Sequence, residues 1–269
     1  ACSWRVARRV PRRIDRSSGT VRMSADRDLV VVEGAWAVEA LLDNAWFSVC
    51  EVCIEEGRHA PLLALCRERS VKVSILRADE MCDRLGYDFH RGVYATALRP
   101  APREPDEAFL ASARRVLVPV DLADGGNLGT LIRSAAAFGV DGVVVGCGRG
   151  TDVYSRKCIR SSATAIFRVP VFEVASLEAT LERLVESGFI LLGSSVAEGS
   201  RPLTEVRAAR RTALLMGAEG EGLPAGIESL CAERVRIPMI GGLDSLNVAA
   251  SGAILMWEWF GKPALQDQA

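Results

Sequence analysis

Long hydrophobic runs are missing from this chain of 269 residues. No apolar stretch approaches the roughly 20 residues that cross a bilayer as a helix, so no membrane association is expected. Histidine is scarce, with only His59 and His90. The eight cysteines include a single CxxC, Cys50 and Cys53, and no second pair to complete a ligand set. No metal site is therefore expected. The pair lies in WFSVCEVCI, which reads as a strand, where positions three apart face opposite sides. The cysteines are scattered, mostly within apolar runs, and read as reduced, buried thiols of a cytosolic protein that outline no disulfide framework. There is no Walker Lys-Ser/Thr pair, and GCGRG at 146–150 lacks the spacing of a dinucleotide fingerprint. Internal repeats and low-complexity tracts are absent too.

The composition present is that of a globular protein, 49% hydrophobic and 25% charged. The length suffices for two domains, each with its own core. A net charge of −1 conceals an uneven distribution. Residues 1–27 carry a net +6, residues 28–112 a net −6 and residues 113–269 a net −1. Affinity for nucleic acid must then come from the arm or from local patches. The arm, 1–27, reads as disordered. It can be a basic arm that gathers RNA phosphates, an Arg- and Ser-rich organelle transit peptide, or non-native translation ahead of Met23. No chemistry is assigned to it.

Residues 28–105 read as a small α/β domain. LVVVEG leads into AWAVEALLDN, in which Trp36, Val38, Leu41 and Leu42 are expected on one helical face. The strand FSVCEVCI, a helix around PLLALCRER, the strand VKVSIL, a helix from Ala78 to Leu85 and the strand HRGVYATAL follow. RPAPREPDEAF, with three prolines, reads as a linker, placed at 106–112. From residue 113 to 269 the order is strand VLVPVDL, helix NLGTLIRSAAAFGV, strand DGVVVGC, then FRVPVFEV, FILLGSSV and TALLMG as further strands, with SLEATLERLVES as a helix. This is the pattern of an open, parallel α/β sheet.

Three stretches carry candidate chemistry. DGGNLGTLIRSAAAFG, Asp124 to Gly139, is a strand-to-helix turn with glycines at 125, 126 and 129. Asn127 can hydrogen-bond across that turn, and Arg133 is the only charge in the helix. LLMGAEGEGLP, Leu214 to Pro224, is a strand entering a glycine-rich loop whose Glu219 and Glu221 would repel a phosphate. RIPMIGGLDSLNVAASGAILMWEW, Arg236 to Trp259, passes a Gly241-Gly242 turn into a helix of small residues. Asp244 or Ser245 is expected to cap that helix, with Asn247 just inside, and its free N–H groups suit a ligand.

In this order the three stretches resemble the SpoU (TrmH-type) branch of the SPOUT RNA methyltransferases, over most of residues 113–260. EGAWAVEALL and HRGVYATAL are similar to the ribosomal-protein-like RNA-binding domain that often precedes it. The resemblance implies an α/β fold whose C-terminal SPOUT domain ends in a deep trefoil knot, a homodimer, and S-adenosylmethionine as cofactor. It implies methylation of a ribose 2′-hydroxyl in structured RNA, with ribosomal RNA favoured over transfer RNA. A knotted RNA-binding or assembly factor without turnover is the contrasting possibility, signalled by loss of Arg133 or Asn247; both are present. By position, Gly217, Ile237, Leu246 and Met239 are implied to hold the cofactor, with Ser194 and Ala197 near its adenosine. Asn127, Arg133, Glu219, Ser245 and Asn247 match active-site positions, and Arg160 an RNA contact. Arg133 is expected to position phosphate and stabilise charge, because a guanidinium is a demanding base. Glu219 is expected to orient the loop or the arginine. Three departures stand out: Gly125 for proline, Ala249 for serine, and Ser155-Arg156 for Asn-Pro. Trp36, Trp46, Phe89 and Tyr94 can stack bases, although their spacing places most of them in the core.

Overall fold

The computed structural model describes residues 28–241 and 244–262. The readings offered for residues 1–27, and Gly242 of the expected turn, lie outside the described residues.

Two sheets make up the protein. In the first, β1 (Leu29–Glu33), β4 (Val93–Leu98), β2 (Ser48–Glu55) and β3 (Val73–Leu76) lie side by side in that order. β4 runs antiparallel to both neighbours, and β2 and β3 are parallel. Helices α1 (Ala35–Leu42), α2 (Ala60–Glu68) and α3 (Ala78–Leu85) connect the strands. On α1, Val38 and Leu41 are buried, but Trp36 is 83% exposed. The expected single face is thus corrected: two positions before Val38, Trp36 projects from the far side of the helix. Cys53, Cys66 and Cys158 are buried as expected, but Cys82, Cys147 and Cys231 are only partly so and Cys50 is exposed. Burial pushes the Cys158 thiol up to about 12 and the Cys231 thiol to about 11, which leaves both inert at neutral pH.

The second sheet has seven strands, each parallel to its neighbours. Across the sheet they are β7 (Val171–Val174), β6 (Gly142–Gly146), β5 (Arg115–Pro119), β10 (Thr212–Met216), β8 (Ile190–Ser194), β11 (Glu233–Arg236) and β9 (Arg201–Pro202). Its central strands are apolar along their whole length because both faces are covered. Leu117, Val143, Leu192 and Leu214 face one cluster, while Val116, Val144, Leu191 and Leu215 face the other. On the first face lie α5 (Gly125–Ala137), α6 (Arg156–Ser161) and α9 (Val248–Met256), the last continuing as a π-helical turn, Trp257–Gly261. On the second lie α7 (Leu177–Glu186) and α8 (Ala225–Glu228). α5 and α6 cross so closely that a Cβ on Gly129 would stand 2.3 Å from the Cys158 carbonyl oxygen. β11 enters between β8 and β9, both earlier in the chain, before residues 237–247 lead to α9 against α5.

Residues 106–112 are not a linker. Glu107–Ser112 form α4, capped by the Asp106 carboxylate, which accepts from the Phe109 N–H. Leu110 is buried on the second face, and Phe109 packs on Phe172 with ring centroids 4.6 Å apart. The prolines ahead of α4 stop earlier structure, but apolar side chains at 109 and 110 draw the segment onto the sheet.

The two sheets share one core, with Phe47 packed edge-on against Tyr154 and Phe167. Polar contacts close the junction. Asn44 donates to the Phe167 carbonyl at 2.5 Å, and Arg99 pairs with Asp152 and Glu173 at 2.9 and 2.7 Å. Glu33, almost fully buried, accepts from the Tyr87 hydroxyl at 2.6 Å and pairs with Arg156, whose guanidinium lies 3.7 Å over the Tyr87 ring. Arg156 is one of the departures from the family pattern; here it docks one sheet onto the other. A cavity of about 660 Å³ in this junction takes in the GCGRG loop. Its arginines are already paired, Arg149 with Asp121 and Glu178.

Candidate active site

Parallel strands deliver their C-terminal ends to one edge, where open α/β sheets hold ligands. Here those ends are the loops after β5, β8, β10 and β11.

After β5, Asp124 caps α5 by accepting from the Asn127 N–H at 2.9 Å. Its carboxyl is held below the usual range chiefly by the hydrogen bond from Lys157. After β10, the loop turns back on itself: the Gly222 N–H donates to the Ala218 carbonyl at 2.9 Å. Gly217 makes this possible, since a Cβ there would meet the Gly222 carbonyl carbon at 2.3 Å. After β11, the chain reaches α9, whose cap is Asn247, neither Asp244 nor Ser245. The Asn247 Oδ1 accepts from the Ala249 and Ala250 N–H groups at 2.9 and 3.2 Å. The helix begins two or three residues later than expected, with the first free N–H groups taken by Asn247.

These three loops meet in a triangle of side chains. Asn127 Nδ2 donates to Glu219 Oε1 at 2.7 Å. Asn247 Nδ2 donates to Asn127 Oδ1 at 3.0 Å and to the same Glu219 oxygen at 3.1 Å. Glu219 thus meets two asparagines and not Arg133, tying its own loop to those of the other two motifs. With the Asn247 oxygen committed to the cap, that side chain has one orientation, and its energetic roles are coupled. Asn247→Ala is expected to cost about 1–2 kcal/mol through the lost cap, read as a lower Tm. Asn247→Asp keeps the cap but sets a second carboxylate beside Glu219, so its Tm should stay nearer wild type while activity collapses.

The other candidates are less tightly placed. Ser245 is exposed and makes no hydrogen bond among the described residues, so it does not join the triangle. Arg133 is exposed on α5, away from Asn127, with no ion pair among the described residues. It lines a cavity of about 340 Å³ with Thr164 and Arg168. Arg168 is a second guanidinium that the sequence reading missed; FRVPV was read only as a strand, and nothing local links it to Arg133. Arg160 is exposed in the last turn of α6.

For a cofactor the loops offer a consistent chemistry. Residues 194–200, 217–224 and 237–247 carry Glu198, Glu219, Glu221 and Asp244 and no basic residue. Ser194 ends β8, Ala197 is exposed, and Ile237 is half-buried beside the core. Met239 and Leu246 stand 37% and 36% exposed. An acidic, partly apolar rim suits a cationic sulfonium compound with a flat ring and repels nucleotide phosphates. Among the described residues no group of three or more His, Cys, Asp or Glu is arranged to hold a metal ion, and no helix is long and apolar enough to cross a membrane.

The SpoU rRNA Methylase family model matches residues 114–257. An "uncharacterized tRNA/rRNA methyltransferase" of Mycobacterium bovis is 36% identical over 86% of this chain and 80% of its own length. The 23S rRNA (guanosine-2′-O-)-methyltransferase RlmB of Nitrosomonas europaea is 33% identical over 84% of this chain and 89% of its own. Among solved structures, the SpoU methyltransferase AviRb of Streptomyces viridochromogenes in complex with AdoMet superposes with a TM-score of 0.72. It is 26% identical and covers 85% of this chain and 88% of its own.

Proposed function

The chain belongs to the SpoU rRNA methylase family, and is thus an S-adenosylmethionine-dependent RNA methyltransferase; from that premise we propose that it methylates a ribose 2′-hydroxyl in ribosomal RNA. One observation carries the reading: Asn127, Glu219 and Asn247, from three separate motifs, are hydrogen-bonded into one unit at the C-terminal strand edge.

We assign the cofactor to the loops carrying Gly217, Ile237, Met239 and Leu246, with Ser194 and Ala197 beside its adenosine. Bound there, it supplies an activated methyl group on a good leaving group. The work left to the protein is to orient a weak nucleophile. Glu219 has a second carboxylate oxygen that can accept a hydrogen bond from the ribose hydroxyl, while the asparagines hold that carboxylate still. Ser245 is assigned to the same shell, closing on the sugar. Arg133 holds the neighbouring phosphate through a charge-assisted, bidentate contact, and Arg168 adds a second positive charge to that pocket. Arg160, near the junction of the sheets, contacts RNA entering from the first sheet. There Trp36 remains exposed to stack a base, whereas Phe89 and Tyr94 are buried and Trp46 lies beneath Arg103.

The insertion of β11 between earlier strands supports the deep knot. Ile254 on α9 and Trp257 in its π-helical continuation, 40% and 43% exposed, support a homodimer seated on that helix. Residues 28–105 form the RNA-binding domain in this reading, and the enzyme acts in the cytoplasm.

The test is transfer of radiolabelled methyl from S-adenosylmethionine to ribosomal and transfer RNA fractions from cells lacking the protein. Label is expected in ribosomal RNA, in a linkage that resists alkali because its 2′-oxygen is blocked. Label in transfer RNA alone would move the substrate; alkali-labile label would refute ribose methylation.

A further inference from the structure

Ten arginines among the described residues meet a carboxylate, as Arg58 does Glu55, Arg69 does Asp43 and Arg201 does Glu233. Arg114, Arg115, Arg207 and Arg210 have no ion-pair partner among the described residues, and all four line one cavity of about 590 Å³. Two sequence segments nearly a hundred residues apart supply them. The first pair lies at the start of β5, the second in the irregular segment ahead of β10, and β5 and β10 are parallel neighbours. The cavity is therefore at the N-terminal edge of the second sheet, opposite the loops of the active site. Its far wall is the end of the C-terminal helical segment, where Lys262 pairs with Glu258 at 2.9 Å.

Local structure accounts for only part of this charge. The C-termini of α5 and α9 point toward the same edge, and each presents about half a negative charge. Arg115 lies over the Phe260 ring at 5.9 Å. Against four guanidiniums and Lys262 stand the two helix ends, Glu258 and the Asp141 carboxylate, which accepts from the Arg114 and Arg115 backbone N–H groups at 2.7 and 2.9 Å, so the cavity keeps an excess of positive charge. Like charges gathered in one concavity repel one another and raise the local concentration of anions. The side chains of Arg207 and Arg210 are exposed and free to meet such an anion.

We propose that this cavity is a second RNA-binding site that holds backbone phosphates of the substrate at a distance from the reacting sugar. The inference rests on the RNA methyltransferase reading. α9 starts at Asn247 in the active site and its helical continuation ends at the cavity. A five-residue strand is about 16 Å long, so a structured RNA crossing the molecule reaches both edges. The contact is to phosphate and reads no sequence; it adds affinity and register.

The experiment measures binding of a fluorescein-labelled RNA stem-loop to the full chain by anisotropy across a series of KCl concentrations, alongside methyl transfer. For Arg207→Gln/Arg210→Gln we expect about tenfold weaker binding at low salt. The slope of log affinity against log salt should shrink by about 1.4–1.8, as two lost phosphate contacts require. KM for RNA should rise while kcat at saturating RNA is kept. Arg207→Lys/Arg210→Lys should restore most of the affinity and the slope. An unchanged slope and affinity in the glutamine variant, with the wild-type chain still methylating RNA, would overturn the second site and leave the enzyme reading intact. A loss that lysine fails to restore would overturn it as well, by marking a structural role. A wild-type chain that methylates no RNA would instead remove the reading beneath it.

Discussion

Arg133→Ala is expected to lower methyl transfer by about a hundred- to a thousandfold, the range found when one preorganised charge-stabilising donor is removed. At about 1.4 kcal/mol per factor of ten, that is roughly 2.7–4 kcal/mol of transition-state stabilisation. The fold should hardly notice. Arg133 is exposed and makes no ion pair among the described residues, so its removal falls within the small range typical of surface substitutions, about 0.5 kcal/mol either way. Cofactor affinity should be unchanged, because the loops proposed to hold the cofactor lie at the other end of α5. Arg133→Lys should recover only part of the rate, since an ammonium cannot reproduce a two-pronged contact to phosphate. The measurements are single-turnover methyl transfer, calorimetric titration with S-adenosylmethionine and thermal unfolding. A variant retaining more than about a tenth of the wild-type rate would take Arg133 out of the mechanism, given the hundredfold minimum expected.

Gly217→Ala is the second large effect, and it works through space. The backbone of Gly217 does not have a positive φ, so alanine meets no conformational barrier there. Its new methyl group, however, would stand 2.3 Å from the Gly222 carbonyl carbon, 2.4 Å from the oxygen and 2.6 Å from the Leu223 nitrogen. All three are backbone atoms, so no side chain can swing aside. The loop must open, breaking the Gly222-to-Ala218 hydrogen bond and displacing Glu219 from the two asparagines. We expect a stability loss of about 1–3 kcal/mol, as for other overpacked sites. S-adenosylmethionine binding should fall at least about a hundredfold, equivalent to roughly 2.7 kcal/mol. Gly226→Ala is the control. It lies in the short helix Ala225–Glu228 with nothing within 4 Å of the added methyl, so it should be neutral or slightly stabilising. Normal cofactor affinity in Gly217→Ala would show that the loop is not the cofactor's wall.

Both variants concern positions visible in the linear sequence, and the reason is instructive. A parallel sheet buried on both faces requires uninterrupted apolar runs, so VLVP, GVVVG and TALLM announce themselves as strands. Glycines at a strand-to-helix turn and an Asp before the first turn of α5 are equally local signals. By these means the sequence alone determined the α/β class, the strands β5, β6, β7, β8 and β10 with the helices after β5 and β7, and the three stretches proposed to carry the site. The helices Arg156–Ser161 and Ala225–Glu228 and the strands β9 and β11 it did not announce. What it could not decide was which side chains meet. Asn127 and Glu219 are 92 positions apart, and Asn127 and Asn247 are 120 apart. Their contact follows from the strand order, which sets the ends of β5 and β10 side by side and returns α9 against α5. The same global packing chose Asn247 over its neighbours as cap, turned a proline-rich connection into α4, and left Trp36 in solvent. It also drew Arg114 and Arg115 beside Arg207 and Arg210 at the opposite edge. Periodicity and capping act over one or two turns, whereas contacts between loops depend on where each strand is inserted in the sheet, and only the tertiary structure settles that.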